Sequence, residues 1–210
     1  MGTCKLCNWW KVKVKVSAVR TIDHFLHLAG AEVALAAPGP TRSAGLRATE
    51  LLAVTPKPVR RPSPQRLAVC EHLGTACAEM RPDRAAAFEA LEPELAWRTR
   101  SIPNASPGFA EGHASARVLG PDGLEQRGGL VAGFSLVAPG ITYPEHDHPP
   151  EEIYLVLSGG EWWQAGGVWH APGPCGIVHN PPGIRHAMRG TSVPLLAIWF
   201  LLPSRSGSRE

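Results

Sequence analysis

Between Gly140 and Gly159 the chain reads GITYPEHDHPPEEIYLVLSG, and this stretch concentrates the side chains able to do chemistry. His146 and His148 lie one residue apart and Glu152 follows four residues later. Side chains on a strand return to the same face every second residue, so the two imidazoles share a face. Pro149-Pro150 cannot continue a hydrogen-bonded central strand and predicts a turn. The chain restarts at Glu151-Glu152-Ile153-Tyr154, where Glu152 and Tyr154 again share a face. Two imidazoles, a carboxylate and a phenol directed into one space form a pattern suited to a divalent metal ion. A fourth protein ligand must come from elsewhere, and His170, His179 and His186 are available.

The elements that position these groups change character along the chain. From Thr21 to about Ala36, Phe25, Leu28, Val33 and Leu35 fit an amphipathic helix ended by Pro38-Gly39-Pro40. Leu46 to Val54 predicts a second short helix. Pro62-Ser63-Pro64 precedes a third, in which Leu67, Cys70, Leu73, Cys77 and Met80 recur at three- and four-residue spacings. A fourth follows Pro82-Asp83 and closes near Trp97. The stripes of these helices must be buried against another layer. Beyond Arg100, glycine, proline and β-formers take over. Strands are expected at 130–138, 152–157, 161–168, 176–179, 186–189 and 195–202, a spacing that predicts a sandwich or barrel. The expected organisation is a basic tail over 1–20, a helical portion over 21–100, a metal-binding β-barrel over 101–204 and a disordered tail over 205–210.

Composition removes several classes of function. Of 210 residues, 44% are apolar, enough for a core, but no window approaches the roughly 18 uncharged apolar residues that suggest a membrane span. A net charge of +3, not gathered around the histidines, predicts no nucleic-acid partner. Five cysteines, an odd number without regular spacing, argue against a disulfide framework. Cys4 and Cys7 form a CxxC with no second pair nearby, and Cys70 and Cys77 sit on a helical apolar stripe as core thiols. Lys11, Lys13 and Lys15 interrupt any secretory apolar core, so a cytoplasmic location is expected.

Gly140, His146, His148, Glu152 and Gly159 stand at every position of the pattern GxxxxxHxHxxxExxxxxxG, and Pro181, Gly183 and His186 stand at PxGxxH. These resemble the two signatures of the cupin superfamily, which implies a mainly β double-stranded β-helix, or jelly-roll barrel. The second signature departs at its ends, with Gly176 one residue too close and Gly190 in place of the usual Asn. The run YPEHDHPPEEIYLVLSG and the Trp-rich strand after it are similar to the cupin dimethylsulfoniopropionate (DMSP) lyases, over roughly residues 130–200. That resemblance implies His146, His148, Glu152 and His186 as ligands of one divalent transition metal ion: Zn(II), Fe(II), Mn(II) or Ni(II). It implies Tyr154 as the general base and Tyr143 as a substrate-holding group, and these are the only tyrosines in the chain. The implied reaction is β-elimination of DMSP to dimethyl sulfide and acrylate, with no organic cofactor.

A sulfonium suits an aromatic wall, at about 0.5–2 kcal/mol per face. Trp162, Trp163, Trp169 and Trp199 are candidates for it, and adjacent Trp162 and Trp163 face opposite ways. Trp199 is the expected substrate contact, joined by His179 from a neighbouring strand. Glu145 and Glu151 have the opposite parity to the ligands and are expected to be solvated. Two other readings use the same ligands. An Fe(II) cupin dioxygenase would also accept three histidines and one glutamate, and a non-catalytic cupin could sense a small molecule. Neither needs a phenol beside the metal. Pairing into a homodimer stays open.

Overall fold

The computed structural model describes residues 21–36, 38–102, 105 and 107–204. The basic leader, the CxxC and the C-terminal tail lie outside the described residues. Five α-helices are present among the described residues: α1 (Thr21–Ala34), α2 (Pro40–Leu52), α3 (Leu73–Ala78), α4 (Pro82–Leu91) and α5 (Phe109–Gly112). In α1, Ile22, Phe25, Leu26, Ala29 and Val33 supply the buried stripe. Proline opens both α2 and α4, where its missing N–H costs nothing. Helices α1 and α2 pack closely at Gly45, where a Cβ would stand 2.1 Å from the Val33 carbonyl oxygen.

The third predicted helix is shorter than its periodicity suggests. Residues Ala68–His72 form a 3₁₀ segment that runs into six-residue α3. Gln65 donates its N–H to the Leu95 carbonyl at 3.0 Å and accepts from Trp97 at 2.9 Å. That pairing holds the residues before Ala68 extended. Cys70 and Cys77 are buried in the core.

Among the described residues there are ten strands: β1 (Lys57–Pro58), β2 (His113–Leu119), β3 (Glu125–Gln126), β4 (Val131–Val137), β5 (Thr142–His146), β6 (Glu151–Val156), β7 (Glu161–Gln164), β8 (Ile177–Asn180), β9 (His186–Arg189) and β10 (Leu195–Leu202). The larger sheet has the order β1-β3-β2-β4-β10-β6-β8, and the smaller one β5-β9-β7. Strands β1, β2 and β3 are not apparent from sequence periodicity, and the strand carrying His146 ends there, two residues before His148. The strand expected over 161–168 stops at Gln164, where a turn containing Gly166 at φ +85° leaves Val168 exposed.

Alternation along the central strands builds two separate apolar layers. Phe134 of β4, Ile153 and Leu155 of β6, and Ile198 and Phe200 of β10 face the helices. There Phe134 packs edge-on against Phe25 and Phe88, with ring centroids 5.1 and 5.0 Å away. Helices and large sheet therefore share one core. On the other face, Val137, Tyr154, Val156 and Ala197 join Trp162 and Met188 of the small sheet. The functional groups lie on this inner face.

Candidate metal centre and active site

Strand pairing assembles the histidines. His146 ends β5 directly opposite His186 at the start of β9, and their ring centroids are 4.1 Å apart. His148 lies in the turn between β5 and β6, with its ring 5.1 Å from that of His186. The Pro181–Gly183 turn is tied to the same place: the Gly183 N–H donates to the His148 carbonyl at 3.0 Å. Gly183 has φ +72°, a conformation that favours glycine. One nitrogen from each of His146, His148 and His186 falls within 4.8 Å of the others.

Glu152 enters from β6. Its Oε2 lies 3.3 Å from Nε2 of both His148 and His186. Metal–ligand bonds of about 2.0–2.2 Å at tetrahedral or octahedral angles give donor separations of about 2.8–3.6 Å.

The tautomers complete the fit. Each imidazole directs Nδ1 at a backbone carbonyl two residues away: His146 to Pro144, His148 to Pro150 and His186 to Ile184, all at 2.9 Å. A carbonyl can only accept, so Nδ1 carries the proton and Nε2 presents its lone pair inward. Three lone pairs and a carboxylate then converge with no donor between them. Nε2 of buried His186 has no hydrogen-bond partner among the described residues, although the Glu152 oxygen is 3.3 Å away. Converging acceptors need a cation, and the donor set fits a divalent metal.

Without metal, protons substitute in part. Burial opposes ionisation of Glu152, but the neighbouring His148 and His186 outweigh it and draw the carboxyl down to about 2. Hydrogen bonding to Glu152 correspondingly raises His148. Burial and the neighbouring His186 charge push His146 down to about 4.

A pocket of about 530 Å³ opens onto His146, His148 and Glu152 and is also lined by Tyr143, Tyr154 and Trp199. Tyr154 is buried between Val178 and Trp199 in the strand register. Burial, and then the Glu152 charge, raise its hydroxyl well above the ordinary phenol value. Tyr143 is also buried, and its hydroxyl accepts a hydrogen bond from Arg100 at 3.0 Å.

Two expectations need correction. His179 is not on the substrate side. It pairs with Ile153, which faces the helices, and its Nε2 lies 2.8 Å from Glu151 Oε1. A one-residue change along a strand reverses the face, and it is Asn180 that points inward. Glu151 does face away from the metal ligands, but it is not simply solvated: it is half-buried, ion-paired with Arg47 and bonded to His179. Glu145 is exposed, 3.4 Å from Arg185.

Of the other tryptophans, Trp162 is buried in the inner layer and Trp163 points outward, donating to the Gly167 carbonyl. Trp169 stacks on Arg189 at 4.3 Å. His170 exchanges backbone hydrogen bonds with Trp162.

Four residues at or beside the site escaped the sequence reading. Asn180 donates to Glu152 Oε2 at 2.9 Å, and Gln164 donates to Asn180 Oδ1 at 2.6 Å. Arg100 holds Tyr143. His113 is fully buried with both ring nitrogens unpartnered among the described residues, stacked on Phe109 and edge-on to Tyr143. Burial, then the charges of Arg100 and His146, lower its pKa to about 3, so its ring is neutral. A further cavity of about 560 Å³ between α1 and α2 adjoins Arg127, which pairs with Asp23 and Glu125.

Comparison with known proteins agrees with this architecture. The dimethylsulfoniopropionate lyase family profile matches residues 41–197, about three quarters of the chain. Over 91 residues the chain is 33% identical to the dimethylsulfoniopropionate lyase DddQ of Ruegeria pomeroyi, covering 43% of this chain and 45% of that protein. Over 78 residues it is 36% identical to DddL of Cereibacter sphaeroides, which is named for the same activity. That match covers 37% of this chain and 33% of DddL, so the matched stretches span less than half of either curated relative. The DddQ crystal structure from Ruegeria pomeroyi superposes with a TM-score of 0.67 at 23% identity, over 90% of this chain and 94% of that one. A structure reported with the DMSP lyases RdDddP and RnDddQII gives 0.69 at 21% identity, over 90% and 95%. At those identities the superpositions establish the fold alone, two β-sheets preceded by helices. With three quarters of its length matched, the chain belongs to the dimethylsulfoniopropionate lyase family.

Proposed function

We propose that the chain is a metal-dependent carbon–sulfur lyase that splits DMSP by β-elimination into dimethyl sulfide and acrylate. One observation carries the reading: the buried phenol Tyr154 lines the same pocket as His146, His148 and Glu152, and His186 converges on those two histidines. His146, His148, His186 and Glu152 would hold the cation. When bound, a divalent ion withdraws charge from a coordinated substrate carboxylate and acidifies the adjacent C–H.

Tyr154 Oη removes that α-proton as the base. The C–H electron pair becomes the new C=C bond, the Cβ–S bond breaks, and its pair leaves on sulfur as neutral dimethyl sulfide. A phenol whose pKa is about 10 in water ionises poorly at neutral pH, and burial here makes it worse. Positive charge held by the neighbouring ligands reverses that penalty. Tyr143 positions the substrate through a hydroxyl fixed by Arg100, and the Trp199 ring supplies an aromatic wall for the sulfonium.

The test is anaerobic incubation of the metal-loaded protein with DMSP, measuring dimethyl sulfide in the headspace and acrylate in solution. Equal amounts of both are expected. No gas above the chemical background would reject the lyase reading, and product formation only with oxygen would favour a dioxygenase.

A further inference from the structure

Two neighbouring glutamates open β6 and point to opposite sides of the sheet. Glu152 joins the converging histidines, and Glu151 faces the helices. Strand β8 serves both: Asn180 donates to Glu152 Oε2 at 2.9 Å, while Nε2 of His179 lies 2.8 Å from Glu151 Oε1. The second oxygen of Glu151 takes Nη1 of Arg47 from α2. The same guanidinium donates Nη2 to the Pro203 carbonyl at 3.1 Å, one residue beyond Leu202, the β10 partner of Glu151. A planar fork of donors makes that double contact possible. Helix α2, the end of β10 and β8 thus meet at one carboxylate, one peptide bond from Glu152.

The start of β6 needs such a hold. The turn before it contains Pro149 and Pro150, which have no N–H to donate. Its neighbour β8 is a four-residue strand at the edge of the large sheet. A small rotation at Glu151 would carry the Glu152 carboxylate away from the two imidazole nitrogens that it meets at 3.3 Å. An ion pair removed from water adds little net stability, because desolvation offsets its attraction. What the Arg47–Glu151 pair fixes is direction.

We infer that Arg47 and Glu151 are positioning residues of the metal centre: they anchor the first residue of β6 so that Glu152 reaches the histidines, and they couple α2 to metal binding. That role rests on Glu152 being a ligand of the metal. It is separate from the apolar packing around Phe134, which the Arg47–Glu151 pair does not join.

Zinc affinity by chelator competition and the visible spectrum of the cobalt(II)-loaded protein separate positioning from packing. Both are measured for R47A, E151A, the double variant and R47K at a temperature where each is folded. Phe134→Ala serves as the control for lost stability and Glu152→Gln as the reference for a lost ligand. R47A and E151A are each expected to weaken zinc about tenfold and to move the cobalt spectrum towards that of Glu152→Gln. The double variant should lose little more than the weaker single one, because the two side chains act as a unit. R47K keeps the charge but not the fork and should recover only part of the affinity. Affinity within threefold of wild type in both single variants would overturn the role, as would an equal loss in Phe134→Ala. Should the alanine variants not fold, R47K decides: a threefold or greater weakening supports the role, and a smaller one overturns it. Full zinc affinity in Glu152→Gln would reject the ligand assignment, and the positioning role with it. Lost zinc in Glu152→Gln beside unchanged affinity in R47A and E151A would overturn the positioning role alone.

Discussion

The two faces of the large sheet are made by the same strands and do opposite work. On β6, Ile153 and Leu155 enter the helix-covered core, while Glu152 and Tyr154 line the pocket. On β10, Ile198 and Phe200 face the helices and Trp199 faces the pocket. The outer face is closed by Phe25, Phe88 and Phe134 in edge-on contact. On the inner face, polar groups surround the pocket, and His113, Trp162 and His186 keep buried nitrogens without partners among the described residues. Such groups destabilise a fold unless something else holds them in place. The helical layer thus supplies the packing that lets the opposite face carry unsatisfied chemistry.

That division makes separable predictions. The largest effect belongs to the inner face: His148→Ala removes one of four converging acceptors and should lose metal and activity together. Normal metal content in that variant would show that the ligand set is wrongly assigned. On the outer face, Phe134→Ala should cost about 3–5 kcal/mol in denaturant unfolding. At temperatures where it stays folded, its metal content should be unchanged. If metal affinity fell in step with stability, the two faces would not be independent.

Smaller effects test the supports of the site. Asn180→Ala removes the donor to Glu152 Oε2 and should reduce metal affinity by about 10–100-fold, measured by competition with a chelator. His113 gives a pH signature. Its folded pKa of about 3 lies below the model-peptide 6.5, so the unfolded chain binds a proton first. The resulting stability is fully present above pH 6.5 and is lost as pH falls from 6.5 towards 3. Replacing His113 with Phe should flatten the metal-free protein's stability profile across that window. An unaltered slope would show that His113 is not held neutral.

Legibility followed the same geometry. His146, His148, Glu152 and Tyr154 were readable because they lie within nine residues: Glu152 and Tyr154 share a face of β6 by parity, and the turn between β5 and β6 sets His148 beside Glu152. His186 required the resemblance, since spacing left His170 and His179 equally available. Asn180, Arg100 and His113 were hidden because they reach the site through long-range register, as when β6–β8 pairing sets Glu152 opposite Asn180. The β2 sequence HASARVL hid its strand as well: its outward residues include two alanines, and its inward ones are His113, Ser115 and Arg117. His179 was misplaced because nearness in sequence was allowed to stand for direction. Helix α1 was legible because its stripe is long and apolar, whereas the segment before α3 yielded to backbone pairing between Gln65 and Trp97.

The central claim is that Tyr154 turns a metal-binding barrel into a lyase. Metal content and anaerobic dimethyl sulfide release, measured side by side for wild type and Tyr154→Phe, test it most directly. The account predicts equal metal in both proteins and a loss of turnover on the order of 10²–10⁴-fold in the variant. A variant that keeps its metal and retains half the wild-type rate would contradict it.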